Sequence, residues 1–70
     1  MKKNAADPQL AHNLRRLVRE RRTTMLDLGA RAGVSHTTLY DIGRRFSPTL
    51  YTLRAVKAAL GCTWDELLGP

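Results

Sequence analysis

Apolar residues spaced three and four apart, in five separate stretches, predict an all-α fold: a compact bundle of five short helices. Two further observations support that class. No stretch alternates apolar and polar residues with the period of two that a half-buried strand needs. Between Thr24 and Arg45, two short apolar-faced stretches are joined by the tight turn Ala32-Gly33-Val34-Ser35, which reads as a helix-turn-helix.

The elements follow in order. Residues 1–6 read as a flexible N-terminal arm, with Lys2 and Lys3 on it, and residues 7–70 as one helix-turn-helix domain. Asp7-Pro8 starts the first helix: aspartate caps, and proline at the first helical position gives up an N–H that needs no partner there. Leu10, Leu14, Leu17 and Val18 form its apolar stripe through about Arg21, with Arg15, Arg16, Arg19 and Arg22 on the other sides and His12 off the stripe. Thr24 opens the second helix, with Asp27 three residues on as a variant of the capping box. Leu28 and Ala32 share its buried face. Gly29 costs about 1 kcal/mol against alanine in a helix, so its use is close packing where the third helix crosses.

Gly33 lies just past the second helix, where a positive φ costs a Cβ-free residue little. Ser35 caps the third helix. Leu39 and Ile42 give that helix a buried side, and His36, Thr37, Tyr40 and Arg44 point the other way. Pro48 blocks helix continuation, and Thr49 caps a fourth helix with Leu50, Leu53, Val56 and Leu60 as its stripe and Gly61 as its end. Thr63 to Glu66 is a T-x-x-E capping box that opens a last helix with Trp64, Leu67 and Leu68 apolar.

Seventy residues make one domain with a small core. Such a chain buries only about 60% of its unfolded surface, so a partner that binds the folded state adds needed stability. The length leaves no room for a ligand-sensing domain, so no small-molecule ligand is expected. No apolar run approaches the ~18 residues of a membrane span, and the basic start has no apolar run of a secretory leader behind it. Cys62 is the single cysteine, which excludes an internal disulfide and fits a reducing cytoplasm. His12, His36 and Cys62 are too scattered for a metal site, and no nucleophile–base set or phosphate-cradling glycine loop is present; no enzyme activity, metal or cofactor is expected.

Charge narrows the partner. Twelve Lys and Arg stand against six Asp and Glu, for a net +6. Asp65 and Glu66 lie beyond residue 57 and no cation does, which leaves residues 1–57 at +8. Arginine forks suit phosphates, and a basic surface attracts polyanions at long range. A helix face of hydrogen-bonding side chains followed by arginines suits the edges and phosphates of a DNA major groove. On that reading Ser35, His36, Thr37 and Tyr40 carry base readout, and Arg44 and Arg45 hold phosphates with help from Ser47. Arg31 and Arg22, at the two ends of the second helix, are secondary phosphate candidates.

The order of signals resembles the Xre-type family of Cro and phage-repressor helix-turn-helix proteins. The marks are Leu28, Ala32-Gly33-Val34-Ser35, Thr37-Thr38-Leu39, Ile42, Ser47-Pro48, Leu50, Leu53, Ala59-Leu60-Gly61 and Asp65-Glu66-Leu67-Leu68. The resemblance covers about Leu14 to Leu68. It implies the five-helix phage-repressor fold, base contacts from the positions of His36 and Thr37, and phosphate contacts from Thr24, Met25 and Thr38 beside the arginines. It further implies a Cro-like repressor in a prokaryotic cytoplasm or phage-infected host, binding a palindromic operator in double-stranded DNA as a homodimer. The C-terminal part forms the dimer contact in such relatives, which makes Phe46, Leu50, Cys62, Trp64, Leu67 and Leu68 the candidates here, with Trp64 read first as a core residue.

Three departures qualify the resemblance. Met25 stands where the family usually has a phosphate-binding Gln, so anchoring falls to the backbone N–H groups of that helix start. Gly43 and Val18 replace a usual Glu–Arg pair; with both partners gone, the contact reads as repacked rather than broken. Gly29 replaces the usual Ala. The Met25 departure favours the alternative reading, an antitoxin or other protein-binding module that uses this fold with a protein partner, with or without DNA. A third reading is nonspecific architectural binding.

Overall fold

The computed structural model describes residues 7–70 as five helices: α1 (Pro8–Glu20), α2 (Met25–Ala32), α3 (His36–Asp41), α4 (Leu50–Leu60) and α5 (Trp64–Leu68). The N-terminal arm of residues 1–6 lies outside the described residues. Every helix begins at a side-chain cap. Asp7 accepts from the Leu10 N–H at 3.2 Å, Thr24 from Asp27 at 3.1 Å, Ser35 from Thr38 at 3.1 Å, Thr49 from Thr52 at 3.2 Å and Thr63 from Glu66 at 3.0 Å. Each cap satisfies an N–H that the helix itself leaves without a partner. At the other ends, Gly33 and Gly61 take φ of +74° and +67°.

The core runs through all five helices. Leu10, Leu14, Leu17 and Val18 of α1 meet Met25 and Leu28 of α2, Leu39 and Ile42 at α3, Val56 and Leu60 of α4, and Leu67 of α5. α2 packs on both α3 and α4, while α1 packs on α5. Burying each leucine contributes roughly 1.5–3 kcal/mol, so this small set of side chains supplies much of the stability of a chain this short.

The structure corrects several expectations. The Thr24–Asp27 box forms only by half: the Asp27 carboxylate accepts from the Thr23 hydroxyl at 3.0 Å and pairs with Arg31 at 3.4 Å. Aspartate is one methylene shorter than the usual glutamate and does not reach back to the cap's N–H. The T-x-x-E box of α5 closes in both directions, with the Thr63 N–H donating to Glu66 at 2.9 Å. α3 stops at Asp41, so Ile42 is buried as its C-cap and Arg44 lies beyond the helix. Leu50 is 57% exposed, not part of the α4 stripe; α4 begins there, at the rim of the bundle. Cys62 and Leu67 are buried in the core.

Two long-range ties escaped the sequence reading. Asn13 is 1% exposed, and its side-chain amide donates to the carbonyls of Leu67 at 2.9 Å and Gly69 at 2.7 Å. It serves the end of α5, whose last carbonyls have no partner inside the helix. Arg21 reaches the Leu60 carbonyl at 3.3 Å and the Glu66 carboxylate at 3.4 Å, joining the end of α1 to α4 and α5.

Two predictions follow from these ties. Asn13→Ala strands a buried and a half-buried carbonyl at the end of α5 and costs about 1–3 kcal/mol, which thermal denaturation followed by circular dichroism measures. The hydrogen bond from the Thr63 N–H, the largest effect, holds the Glu66 carboxyl below its ordinary value; desolvation pushes it up, and the nearby Arg21 charge adds to the lowering. A group depressed in the folded state stabilises above its unfolded pKa and loses that contribution as pH falls through the folded value. The Tm difference between wild type and Glu66→Gln should therefore be largest near neutral pH and shrink on acidification.

Candidate nucleic-acid interface

The site begins with a backbone contact. A Cβ on Gly29 would run into the Val34 carbonyl oxygen and lie 3.3 Å from the His36 N. Only glycine lets α2 approach the start of α3 this closely, and the Val34 N–H donates to the Gly29 carbonyl at 2.9 Å. α3 is thereby held against α2 with Leu39 facing the core and His36, Thr37 and Tyr40 exposed. His36 and Tyr40 lie four apart and stack edge to face, with ring centroids 6.4 Å apart and an 80° interplanar angle. Ser35 and Thr38 are engaged with each other: the Ser35 hydroxyl donates to that of Thr38 at 2.9 Å while capping the helix.

The turn after α3 presents the arginines. The Asp41 carbonyl accepts from the N–H groups of Arg44 at 3.0 Å and Arg45 at 2.9 Å, and the Gly43 N–H donates to the Phe46 carbonyl at 2.9 Å. Arg44, Arg45 and Ser47 are exposed along this turn. Gly43 has φ of +77°, and a Cβ there would sit 2.7 Å from both the Ala11 N and the Asp7 carbonyl oxygen. The Asp7 N–H also donates to the Gly43 carbonyl at 2.7 Å. Gly43 thus meets the start of α1, and Val18 sits in the core.

At the start of α2, Thr24 is exposed and the Met25 side chain is buried, so Met25 has only its backbone to offer an anion. Arg31 does not join this face. It stands two residues from Gly29, about 200° around α2, and shares a recess with Arg21, Arg22 and the α4 residues Ala59 and Leu60. Its pairing with Asp27 further reduces its value as a phosphate ligand. Leu26 is a residue that sequence reasoning missed: it is 66% exposed and lines a groove with Ser35 and His36. An apolar residue off the stripe of Leu28 and Ala32 was the available signal.

Phe46, Leu50, Trp64 and Leu68 are exposed, as a contact surface requires. Cys62 and Leu67 are not, and as core residues they drop out of the candidate dimer surface; burial also pushes the Cys62 thiol above its ordinary pKa. Lys57 lies 5.4 Å from the centre of the Trp64 ring, a cation–π contact at the α4–α5 corner. Among the described residues, no group of His, Cys, Asp or Glu can hold a metal ion, and no helix is long and apolar enough to cross a membrane.

A helix-turn-helix with an exposed polar third helix and an arginine-bearing turn defines a small DNA-binding domain. Residues 13–70 match the Cro/C1-type HTH DNA-binding domain, and the chain belongs to that family. It is also similar to the immunity repressor protein of Bacillus phage phi105, with 34% identity over 61 residues, which is 86% of this chain. The chain spans 42% of that relative's length. No solved structure matches it.

The close approach at Gly29 is open to direct test. Gly29→Ala forces α2 and α3 apart and should cost about 1–3 kcal/mol through overpacking, despite alanine's better helix propensity. An unfolding midpoint equal to or above wild type would show that the crossing has slack.

Proposed function

We propose that this chain is a sequence-specific regulator of transcription, a Cro-like repressor that binds a palindromic operator in double-stranded DNA as a homodimer. The observation that carries the reading is the exposed face of α3, where His36, Thr37 and Tyr40 stand clear of the core beside a turn that holds out Arg44 and Arg45. A helix of this kind fits the major groove, where hydrogen-bonding side chains distinguish base pairs. Thr37 can donate, accept or touch a thymine methyl, and His36 can donate to guanine. Arg44, Arg45 and Ser47, with Thr24, Thr38 and the backbone of Met25, set register on the phosphates without reading sequence. The similarity to a phage immunity repressor supports the regulatory role.

The dimer rests on geometry and on exposed apolar surface. One short helix reads only a few base pairs, and two copies about 34 Å apart read a palindrome. Leu50 and Lys57 are seven residues apart on one face of α4, and Lys57 continues that face onto the Trp64 ring. With Phe46 and Leu68 also exposed, these residues supply the candidate contact between copies.

Selection of binding sites from a random duplex pool at about 0.15 M salt tests the proposal. Enrichment of two inverted half-sites about one turn apart, with two chains per duplex in sedimentation, is the expected result. Binding without enrichment would reduce the reading to architectural binding, and no binding would move it to a protein partner. On the selected duplex, Arg44→Ala should weaken binding to all sequences alike and lower the salt slope by about 1. Thr37→Ala should instead flatten the preference at one or two base pairs by about 1 kcal/mol each. Indistinguishable behaviour of the two variants would contradict this division of labour.

A further inference from the structure

Three arginines of the described residues are paired with carboxylates and the others are not. Arg16 and Arg21 pair with Glu20 or Glu66, and Arg31 pairs with Asp27, all within 3.7 Å. Arg15 and Arg19 of α1 have no carboxylate partner among the described residues, and both are exposed. They lie four residues apart and so share one face of the helix. That face is turned toward the recognition helix. Arg15 and Arg19 line a groove whose other walls include Thr24 and Tyr40. Arg15 also lines the neighbouring groove, with His12 on its own helix and Arg44 across from it.

Neither groove has an Asp or Glu in its wall. The acids adjacent in sequence to groove residues are Asp7, whose carboxylate caps α1, Glu20, which pairs with Arg16 and Arg21, and Asp41, at the end of α3. The result is a continuous cationic strip from Arg44, past Arg15, to Arg19 beside the Tyr40 ring. It runs along the flank of α3 that leads to the start of α2. We propose that Arg15 and Arg19 form a second binding site for the DNA sugar–phosphate backbone, with the Tyr40 hydroxyl as a hydrogen-bonding partner in the same groove.

This inference rests on the DNA-binding reading and extends the interface to a helix outside the helix-turn-helix. The clasp between Asp7 and Gly43 gives it a mechanical basis, because it ties the start of α1 to the end of α3. A phosphate held by α1 therefore fixes the angle at which α3 lies in the groove. It also accounts for two exposed arginines that no carboxylate balances, on the same helix as Arg16, which is balanced.

The test measures the affinity of the intact chain for a mixed-sequence duplex and for the selected operator, between about 50 and 200 mM salt. Each neutralised phosphate contributes roughly 0.9 to the slope of log affinity on log salt. The double variant Arg15→Gln/Arg19→Gln should lower that slope by nearly two and weaken both duplexes by a similar factor, leaving the ratio between them unchanged. The charge-preserving pair Arg15→Lys/Arg19→Lys should keep most of the wild-type slope, and Arg16→Gln should not change it. A wild-type slope in the double glutamine variant, together with a reduced slope in Arg44→Gln, would overturn the α1 site while leaving the DNA reading intact. Failure of the wild-type chain to bind either duplex would overturn both.

Discussion

The structure depends on the missing side chain at Gly29. α2 and α3 meet backbone to backbone there, with the Val34 carbonyl and the His36 N filling the space a Cβ would take. That contact sets how far α3 stands from the core, and so whether Leu39 seats inside while His36, Thr37 and Tyr40 remain outside. α3 is only six residues long, too short to be stable alone. It exists as a helix because α2 braces it, Ser35 caps it and Leu39 and Ile42 anchor its far end. Glycine's poor helix propensity is a local cost of about 1 kcal/mol that the tertiary contact offsets.

A second backbone contact does comparable work at the other end of α3. Gly43 turns with a positive φ and exchanges close contacts with Asp7 and Ala11. One glycine thus seats α3 on α2, and another seats its exit on α1. Asn13 and Arg21 extend the same frame to α5 and α4 through hydrogen bonds to backbone carbonyls. The exposed face of α3 is therefore fixed relative to the other helices. Arginine pairing divides the surface accordingly. The carboxylates that pair with arginines, Glu20, Glu66 and Asp27, lie at the α1–α4–α5 junction and on the far side of α2, and none of them lines the grooves beside α3.

Much of this was legible in the residue order. Asp7, Thr24, Ser35, Thr49 and Thr63 each mark a helix start because a cap acts over three residues, a distance the sequence states directly. Gly33 and Gly61 mark helix ends for the same local reason. The stripes of α1 and of the later part of α4 follow from helical period alone. The exposed face of α3 followed too, since Leu39 and Ile42 had to point inward. The length of α3 did not, because its last turn is replaced by a turn around Gly43 whose geometry depends on α1. Nor did the burial of Cys62 and Leu67: apolar residues near a chain's end serve equally well as core or as contact surface until the neighbouring helices are placed.

The sequence by itself determined five capped helices, a helix-turn-helix between α2 and α3, and a basic surface, because caps, stripes and charge are local or additive properties. The tertiary structure decided which cations remain free and where they stand. Arg21 and Glu66 are 45 residues apart, and Asn13 serves carbonyls more than 50 residues away. Such partnerships depend on which helices pack together, and no local signal encodes them. The same packing turned Arg31 to the back of α2 and brought Arg15 and Arg19 of α1 beside Tyr40 of α3.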